Sequence, residues 1–367
     1  MKFFSKNEWD PLEAVIVGSS FKNFNLTMDV SLAQFYRHIG YMYLSAQDSK
    51  HKPFYKKQYM EELEEDIEGF VDTLKQLHIK VYRPEDFKLK KISSTVWESY
   101  STPPLNVRDQ CIIIDDTIVE TPPMVRGRYF ENDYMKKIFY EHYLSGGNWL
   151  CMPRPLLKDE SFDKEYVTDD KYLRVNIHEV KKLDDVKYDV NNINGLEMLI
   201  DAAQFARCND DILVNIANRN HALALQWFKL NFPNKTFHVM RSVTDNHIDS
   251  YFVPLKEGVM LVRHEACIDL LPDKFKKWKI IEAPEPQDNN FPKYDILGGD
   301  IILTSRYIDT NVLSIDGDKI IVNALSPQLI KCLEQNGFTP IPVRHRHRRI
   351  FGGGFHCFTL DVKRKNV

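Results

Sequence analysis

The sequence predicts an α/β fold of repeated strand–helix modules closed into a ring, a five-bladed pseudo-symmetric α/β-propeller. Three observations point to it. A stretch of helical periodicity followed by a short apolar strand recurs five times. Four of these stretches are preceded by a hairpin signature. The strand near the N-terminus lacks a hairpin partner, and an apolar run near the other end of the chain can supply one.

The first helix is read from Leu63, Ile67, Phe70, Leu74 and Leu77, whose spacing of four, three, four and three lays one apolar stripe along a helix. Ile79 to Pro84 then reads as a strand closed by a turn. The same pattern returns at Ile138–Pro153, Ala224–Met240, Leu271–Pro284 and Ile330–Val343, at intervals of about 50 to 85 residues. Turns are expected at Asp115-Asp116, Asn209 to Asp211, Lys256 to Gly258 and Asp316 to Asp318. Each is flanked by strand-like runs such as Ile112–Ile114, Ile212–Val214, Val259–Val262 and Ile320–Val322. The first strand, Ala14–Val17, is expected to pair with Phe358–Val362, which would close the ring and remove exposed sheet edges. The whole chain, 1–367, is thus expected to be one domain. On periodicity alone an ordinary α/β sheet with coincidental spacing stays open.

Composition excludes several classes. A net charge of -3 is wrong for a protein built to neutralise phosphate backbones, so no nucleic-acid partner is expected. No apolar run approaches the roughly 18 residues of a membrane span, and the polar start has no signal-peptide core. The six cysteines are scattered without a CxxC pair, which suits a reduced, cytoplasmic chain better than a disulfide framework or a zinc site.

Short polar signatures sit just ahead of the hairpins: Arg108-Asp109, Asp201, His247-Ile-Asp249, Ser305 and, before the closing strand, His356-Cys357. In a ring, these positions face one axis and meet in a single pocket. Cys357 follows three consecutive glycines, Gly352 to Gly354, which permit positive φ and close backbone approach. A cysteine is ordinarily a small buried hydrophobe, but on a constrained turn it is a candidate nucleophile, and a nearby cation lowers a thiol's pKa. His247 suits general acid/base work. Asp201 lies in the apolar stretch Leu199 to Ala203, where a carboxylate is costly unless paired, so it is the candidate to orient that histidine.

Two other clusters read as structural. Arg344 to Arg349 is taken as a solvated loop, since no companion basic stripe exists and His345 and His347 lack metal-spaced partners. The carboxylates of Glu61 to Asp72 are taken as the solvated face of the first helix. Gly352 to Gly354 is no phosphate loop, because no Gly-Lys-Ser/Thr follows.

At these residues the sequence resembles the amidinotransferase family of the pentein superfamily, over nearly the whole chain. The likeness runs from Asn7 to Gly18 through Arg108-Asp109, Glu120-Thr-Pro-Pro, Arg128-Tyr-Phe-Glu131, Asp201-Ala-Ala, His247-Ile-Asp249 and Asn311-Val-Leu. Gly352 to Cys357, with Thr359 to Arg364, is its most specific piece. The resemblance implies the five-bladed pentein fold, with Cys357 as nucleophile, His247 as general acid/base and Asp201 as its partner. It assigns Asp109 and Asp249 to the guanidinium and Ser305 to the substrate carboxylate, and it makes a homodimer one option while the oligomeric state stays open. Departures fall around the substrate. Gln204 and Ala266 stand where the glycine-specific branch has an aspartate and an arginine, with Arg263 a candidate replacement for the latter. Thr244 and Asn246 also differ.

The expected activity is therefore transfer of an amidino group from arginine to an amine, through a covalent cysteine intermediate, with small molecules as partners and no metal or organic cofactor. The alternatives are a guanidine hydrolase resembling arginine deiminase, with water as acceptor, and a non-catalytic guanidine-binding module.

Overall fold

The structure is a computed structural model and describes residues 1–27, 29–35, 55–163, 195–240, 247–295, 300 and 302–366. The first blade begins with β1 (Leu12–Val17). After the short α1 (Val30–Phe35) come α2 (Lys57–Gln76) and β2 (Lys80–Tyr82), which runs parallel to β1. A two-stranded excursion, β3 (Lys91–Ser93) with β4 (Glu98–Tyr100), precedes the second blade. That blade is β5 (Cys111–Ile114), β6 (Thr117–Glu120), α3 (Lys136–Leu144) and β7 (Asn148–Cys151). The third is β8 (Phe205–Cys208), β9 (Asp211–Asn215), α4 (Arg219–Asn231) and β10 (Thr236–Met240). The fourth is β11 (Phe252–Lys256), β12 (Val259–Val262), α5 (Asp273–Lys276) and β13 (Lys279–Glu282). The fifth is β14 (Leu313–Ser314), β15 (Lys319–Asn323), α6 (Pro327–Gln335) and β16 (Thr339–Val343). A last turn, α7 (Arg348–Phe351), leads to β17 (Thr359–Arg364), which pairs antiparallel with β1 and completes the first blade.

The second to fifth blades are each one antiparallel hairpin and one parallel strand returned by a helix, and in the first the distant pair β1 and β17 stands in for the hairpin. In the hairpins after β5 and β8, Asp115 and Asn209 hold φ of 53° and 67°, the left-handed backbone that short polar turn residues tolerate and tight hairpins demand. The predicted stripe of α2 is buried at Leu63, Ile67, Phe70 and Leu74. The fourth module departs from expectation. Its helix is a single turn, because Pro272 delays its start and β13 begins at Lys279.

Alternation along the central strands closes the ring. In β1, Val15 and Val17 pack toward the fifth blade, with Ile321 and Val343, while Ala14 and Ile16 pack toward the second, with Ile113 and Ile118. In β5, Ile112 and Ile114 reach Ile212 and Val214 of the third blade. Leu213 of β9 meets Met260 and Val262 of β12, and Leu261 of β12 meets Ile320 and Val322 of β15. Side chains with period two thus feed both faces of every blade. Five apolar interfaces join each blade to the next, and the fifth returns to the first. Each buried Val, Leu or Ile contributes about 1.5–3 kcal/mol. Among the described residues no helix is long and apolar enough to cross a membrane.

Two sequence readings are corrected here. The Arg344 to Arg349 segment is not a solvated loop: His345, His347 and Arg348 are buried. The face of α2 is not wholly solvated either. Arg344 and Arg346 bind the buried Asp66, Arg346 also binds Glu65, and His347 hydrogen-bonds Glu62. The basic run and the acidic helix face are partners, pinning the first blade to the fifth. Periodicity marks a helix face as polar but not what lies opposite it.

Candidate active site

The turns that introduce the blades' first strands converge on the ring axis. Asp109 lies two residues before β5, Asp201 just ahead of β8, His247 and Asp249 just ahead of β11, and Cys357 two residues before β17. All five are buried. The predicted constellation therefore assembles from four turns distant in sequence.

His247 is its centre. Nε2 lies 3.0 Å from Asp201 Oδ2 and Nδ1 3.6 Å from Asp109 Oδ1. Burial pulls the imidazole's pKa down, but Asp109, Asp201 and Asp249 together outweigh it and raise it to about 9. Asp201 is held in turn by Gln110, whose Nε2 donates to Oδ1 at 3.0 Å. With His247 and Arg128 as cations nearby, its pKa stays below the usual carboxylate range although burial opposes this. Asp109 accepts from Arg128 Nη1 at 2.6 Å, while the rest of that guanidinium forks onto Glu131 at 2.6 and 2.7 Å.

Cys357 sits on a turn that only small residues allow. Gly352 ends α7 at φ 74°, and a Cβ on Gly353 would lie 2.3 Å from Asn106 Oδ1 and 3.0 Å from Cys357 Cβ. The backbone N–H groups of Gly354 and Cys357 donate to Asn311 Oδ1 at 3.2 and 2.9 Å, and Asn311 Nδ2 donates to the Asp249 carbonyl at 3.3 Å. The thiol donates to Asp249 Oδ2 at 3.3 Å. Burial, then Asp249 and Asp109, push its pKa well above the ordinary thiol value. His356 Nδ1 lies 2.7 Å from the same Asp249 oxygen, and chiefly through that bond and charge Asp249 falls to about 2 against the opposing effect of burial.

Below this layer lies a buried ion-pair lattice. Glu8 and Asp361 alternate with Arg108, Arg207 and Arg364, at 2.9 Å for Arg207–Glu8, 2.6 Å for Arg207–Asp361, and 2.7 Å each for Arg108 and Arg364 to Asp361. It touches the site through His356, whose carbonyl accepts from Arg108 Nε at 2.9 Å.

One feature of this arrangement points to a ligand. Asp109 Oδ1 and Asp249 Oδ1 are both buried and have no hydrogen-bond partner. An unsatisfied buried carboxylate oxygen costs more than a made hydrogen bond gains. Two of them beside a thiol and an imidazole ask for a cationic hydrogen-bond donor. The donor atoms of Asp109, His247 and Cys357 lie within 4.8 Å of one another, a set that would also suit a divalent metal of zinc type.

Of the remaining predicted residues, Ser305 caps a turn that packs on the turn of Asp249. Arg263 is fully buried with its guanidinium 5.3 and 5.4 Å from the rings of Tyr251 and Tyr307. Ser305 accepts from Tyr307 N at 3.1 Å and caps the turn carrying that ring. These two therefore meet at Tyr307. Asn246, with Thr244, lies outside the described residues. Gln204 is fully buried with both amide atoms unpartnered. Sequence reasoning gave no role to Arg128, Glu131 or Asn311, although all three stand in motifs that carry the resemblance, and it assigned none to Gln110.

No family model matches the chain. It is 28% identical to an L-arginine:L-lysine amidinotransferase of Pseudomonas savastanoi pv. phaseolicola, over 98% of this chain and 94% of that protein. It is 29% identical to inosamine-phosphate amidinotransferase 1 of Streptomyces griseus, over 98% and 96%. The solved structure of the Streptomyces griseus inosamine-phosphate amidinotransferase superposes with a TM-score of 0.82 at 28% identity, covering 100% of this chain and 97% of that one. A dimethylarginine dimethylaminohydrolase, at 13% identity and a TM-score of 0.58 over 95% and 99%, shares the fold. Over nearly its whole length, then, the chain is similar to the amidinotransferases, and its fold is the pentein fold.

Proposed function

We propose that this protein is a cysteine-dependent amidinotransferase that takes the amidino group of arginine and passes it to a primary amine. The observation that carries the reading is the pair of buried, unpartnered oxygens on Asp109 and Asp249, flanking the Cys357 thiol and the His247 imidazole. A guanidinium is flat, cationic and rich in N–H donors, so it answers both oxygens at once. The full-length likeness to three kinds of amidinotransferase, acting by name on lysine, inosamine phosphate and glycine, supports the same chemistry.

In this reading, arginine binds with its guanidinium between Asp109 and Asp249. Its charge offsets the carboxylates that hold the thiol protonated, so the thiol proton is released to solvent as substrate binds. The thiolate attacks the guanidinium carbon while His247, protonated below about pH 9, gives a proton to the departing nitrogen. Ornithine leaves as a neutral amine, and an amidino group remains on sulfur. The acceptor's nitrogen then takes the place beside the amidino carbon that ornithine's nitrogen has left. Its nitrogen bonds to the amidino carbon, its proton passes to His247, and the carbon–sulfur bond breaks to restore the thiolate. Two half-reactions share one site, which gives ping-pong kinetics. Asp201 keeps the imidazole oriented, and Asn311 fixes the turn that presents the thiol. Arg263 and Ser305, joined at Tyr307, are assigned to the substrate carboxylate, and Asn246 to the same substrate.

Mixing the protein with arginine alone and reading the Cys357 peptide by mass spectrometry tests the scheme. The peptide gains one amidino group, and one equivalent of ornithine appears. Citrulline and ammonia instead would show that water is the acceptor. No adduct on Cys357 in a protein that turns arginine over would reject the scheme.

A further inference from the structure

An enclosed space abuts the candidate site and makes contact with it at three places. Asn106, Arg128 and Phe35 line its inner end. Asn106 reaches the Gly353 backbone against which Cys357 also packs, Arg128 is bonded to Asp109 at 2.6 Å, and the Phe35 ring stands edge-on to His247 with centroids 5.3 Å apart. Its interior volume is about 70 Å³, several times the roughly 10–15 Å³ that admits a single water, which is room for a slender chain.

Its walls are mainly apolar. Phe21, Phe24, Leu26, Leu32, Val125 and Phe351 are among the side chains that line it, and no carboxylate is among the described residues there. Arg128, the cation there, already has its guanidinium occupied by Asp109 and Glu131. Little therefore remains to balance the carboxylate or phosphate of a polar acceptor, and burying one unpaired would be costly. The wall is also tied by hydrogen bonds. Asp29 caps α1 by accepting from the N–H groups of Ser31 and Leu32 at 2.9 and 3.1 Å, and Arg126 N donates to Ser31 Oγ at 3.1 Å. At the inner end, Asn106 Oδ1 is a buried acceptor without a partner, placed to take an N–H from an amine directed at Cys357.

We propose that the acceptor is a primary amine borne on an apolar chain, its hydrocarbon lying among Phe24, Leu32 and Val125 and its nitrogen between Asn106 and the amidino carbon on Cys357. The proposal rests on the amidino-transfer reading above. On attack, the new nitrogen–carbon bond replaces the carbon–sulfur bond, and His247 receives the amine proton.

The test uses the full chain with arginine as donor and a series from butylamine to octylamine, benzylamine, glycine and lysine, reading guanidinylated products by mass spectrometry. The alkylamines exceed glycine in kcat/KM by at least ten-fold. Each added methylene raises kcat/KM roughly four-fold, the equivalent of ~0.8 kcal/mol, until the space is filled. Leu32→Trp moves the optimum to shorter amines and Phe24→Ala to longer ones, a shift in selectivity that a merely damaged fold would not produce. Preference for glycine or lysine, no dependence on chain length, or equal loss for every amine in both variants overturns the proposal. The adduct formed from arginine alone separates the two levels. If it forms and glycine is favoured, only the acceptor assignment fails. If it does not form, the transfer reading fails, and this one with it.

Discussion

The imidazole of His247 is clamped between Asp201, 3.0 Å from Nε2, and Asp109, 3.6 Å from Nδ1. The clamp makes the ring an acid at neutral pH, with a pKa of about 9. Release of ornithine in the first half-reaction therefore holds steady at neutral pH and falls as pH rises through about 9. Asp201→Asn removes one jaw. Turnover drops by about 10²–10⁴-fold, the span of general acid–base catalysis, and the basic limb moves toward neutral pH. A pH–rate profile of the variant that keeps the original limb would sink this assignment.

Asp249 raises the thiol of Cys357 by charge and by accepting its hydrogen bond. Asp249→Asn is therefore expected to have opposite effects on reactivity and on function. Alkylation of Cys357 by iodoacetamide at pH 8 becomes faster, because the thiolate is less disfavoured. Arginine turnover becomes slower, because one side of the guanidinium loses its charged acceptor. Peptide mapping of the alkylated protein, beside an ornithine assay, reads both, and slower alkylation would contradict the electrostatic account.

Two buried histidines set the acid limit of the fold. Burial lowers His221 and His345 each to about 4, against about 6.5 in the unfolded chain. A depressed folded-state pKa means that the unfolded state binds more protons between these values. The stabilising contribution is whole above about pH 6.5 and lost as pH falls toward 4, up to about 3 kcal/mol for each group. Urea midpoints measured from pH 7 to pH 4 should fall through this window, and His345→Gln should flatten the decline. His247 works in the opposite sense, since its raised pKa contributes fully below about 6.5 and fades toward 9.

The thiol, imidazole and carboxylate donors that gather within 4.8 Å also form a competent metal trap. In the proposed reaction the covalent step belongs to sulfur, so prolonged treatment with a chelator leaves arginine turnover unchanged. Added zinc inhibits by occupying the place of the guanidinium, and arginine protects against it. Loss of activity on chelation, restored by metal, would overturn the cysteine-only scheme.

The architecture was legible because strand periodicity and hairpin turns are local. Val15, Leu213 and Leu261 alternate with their neighbours in the sequence just as they divide between two interfaces in the ring. The core of the site was legible for a related reason: equivalent places in repeated modules share an axis, which brings Asp109, Asp201, His247, Asp249 and Cys357 together. What escaped was the layer behind them. Arg128, Glu131, Gln110 and Asn311 act by holding other residues, and nothing local marks such a partner. The Arg344 to Arg349 run was misread for the same reason, since its partners Glu62, Glu65 and Asp66 lie some 280 residues away in sequence.

Because β17 both seals the first blade against β1 and follows the cysteine turn by one residue, architecture and chemistry mature in the same event. Until residues 357–364 are in place, the first blade lacks a strand and the pocket lacks its sulfur. A polypeptide lacking that stretch would present an open edge of β1 and no thiol at the axis.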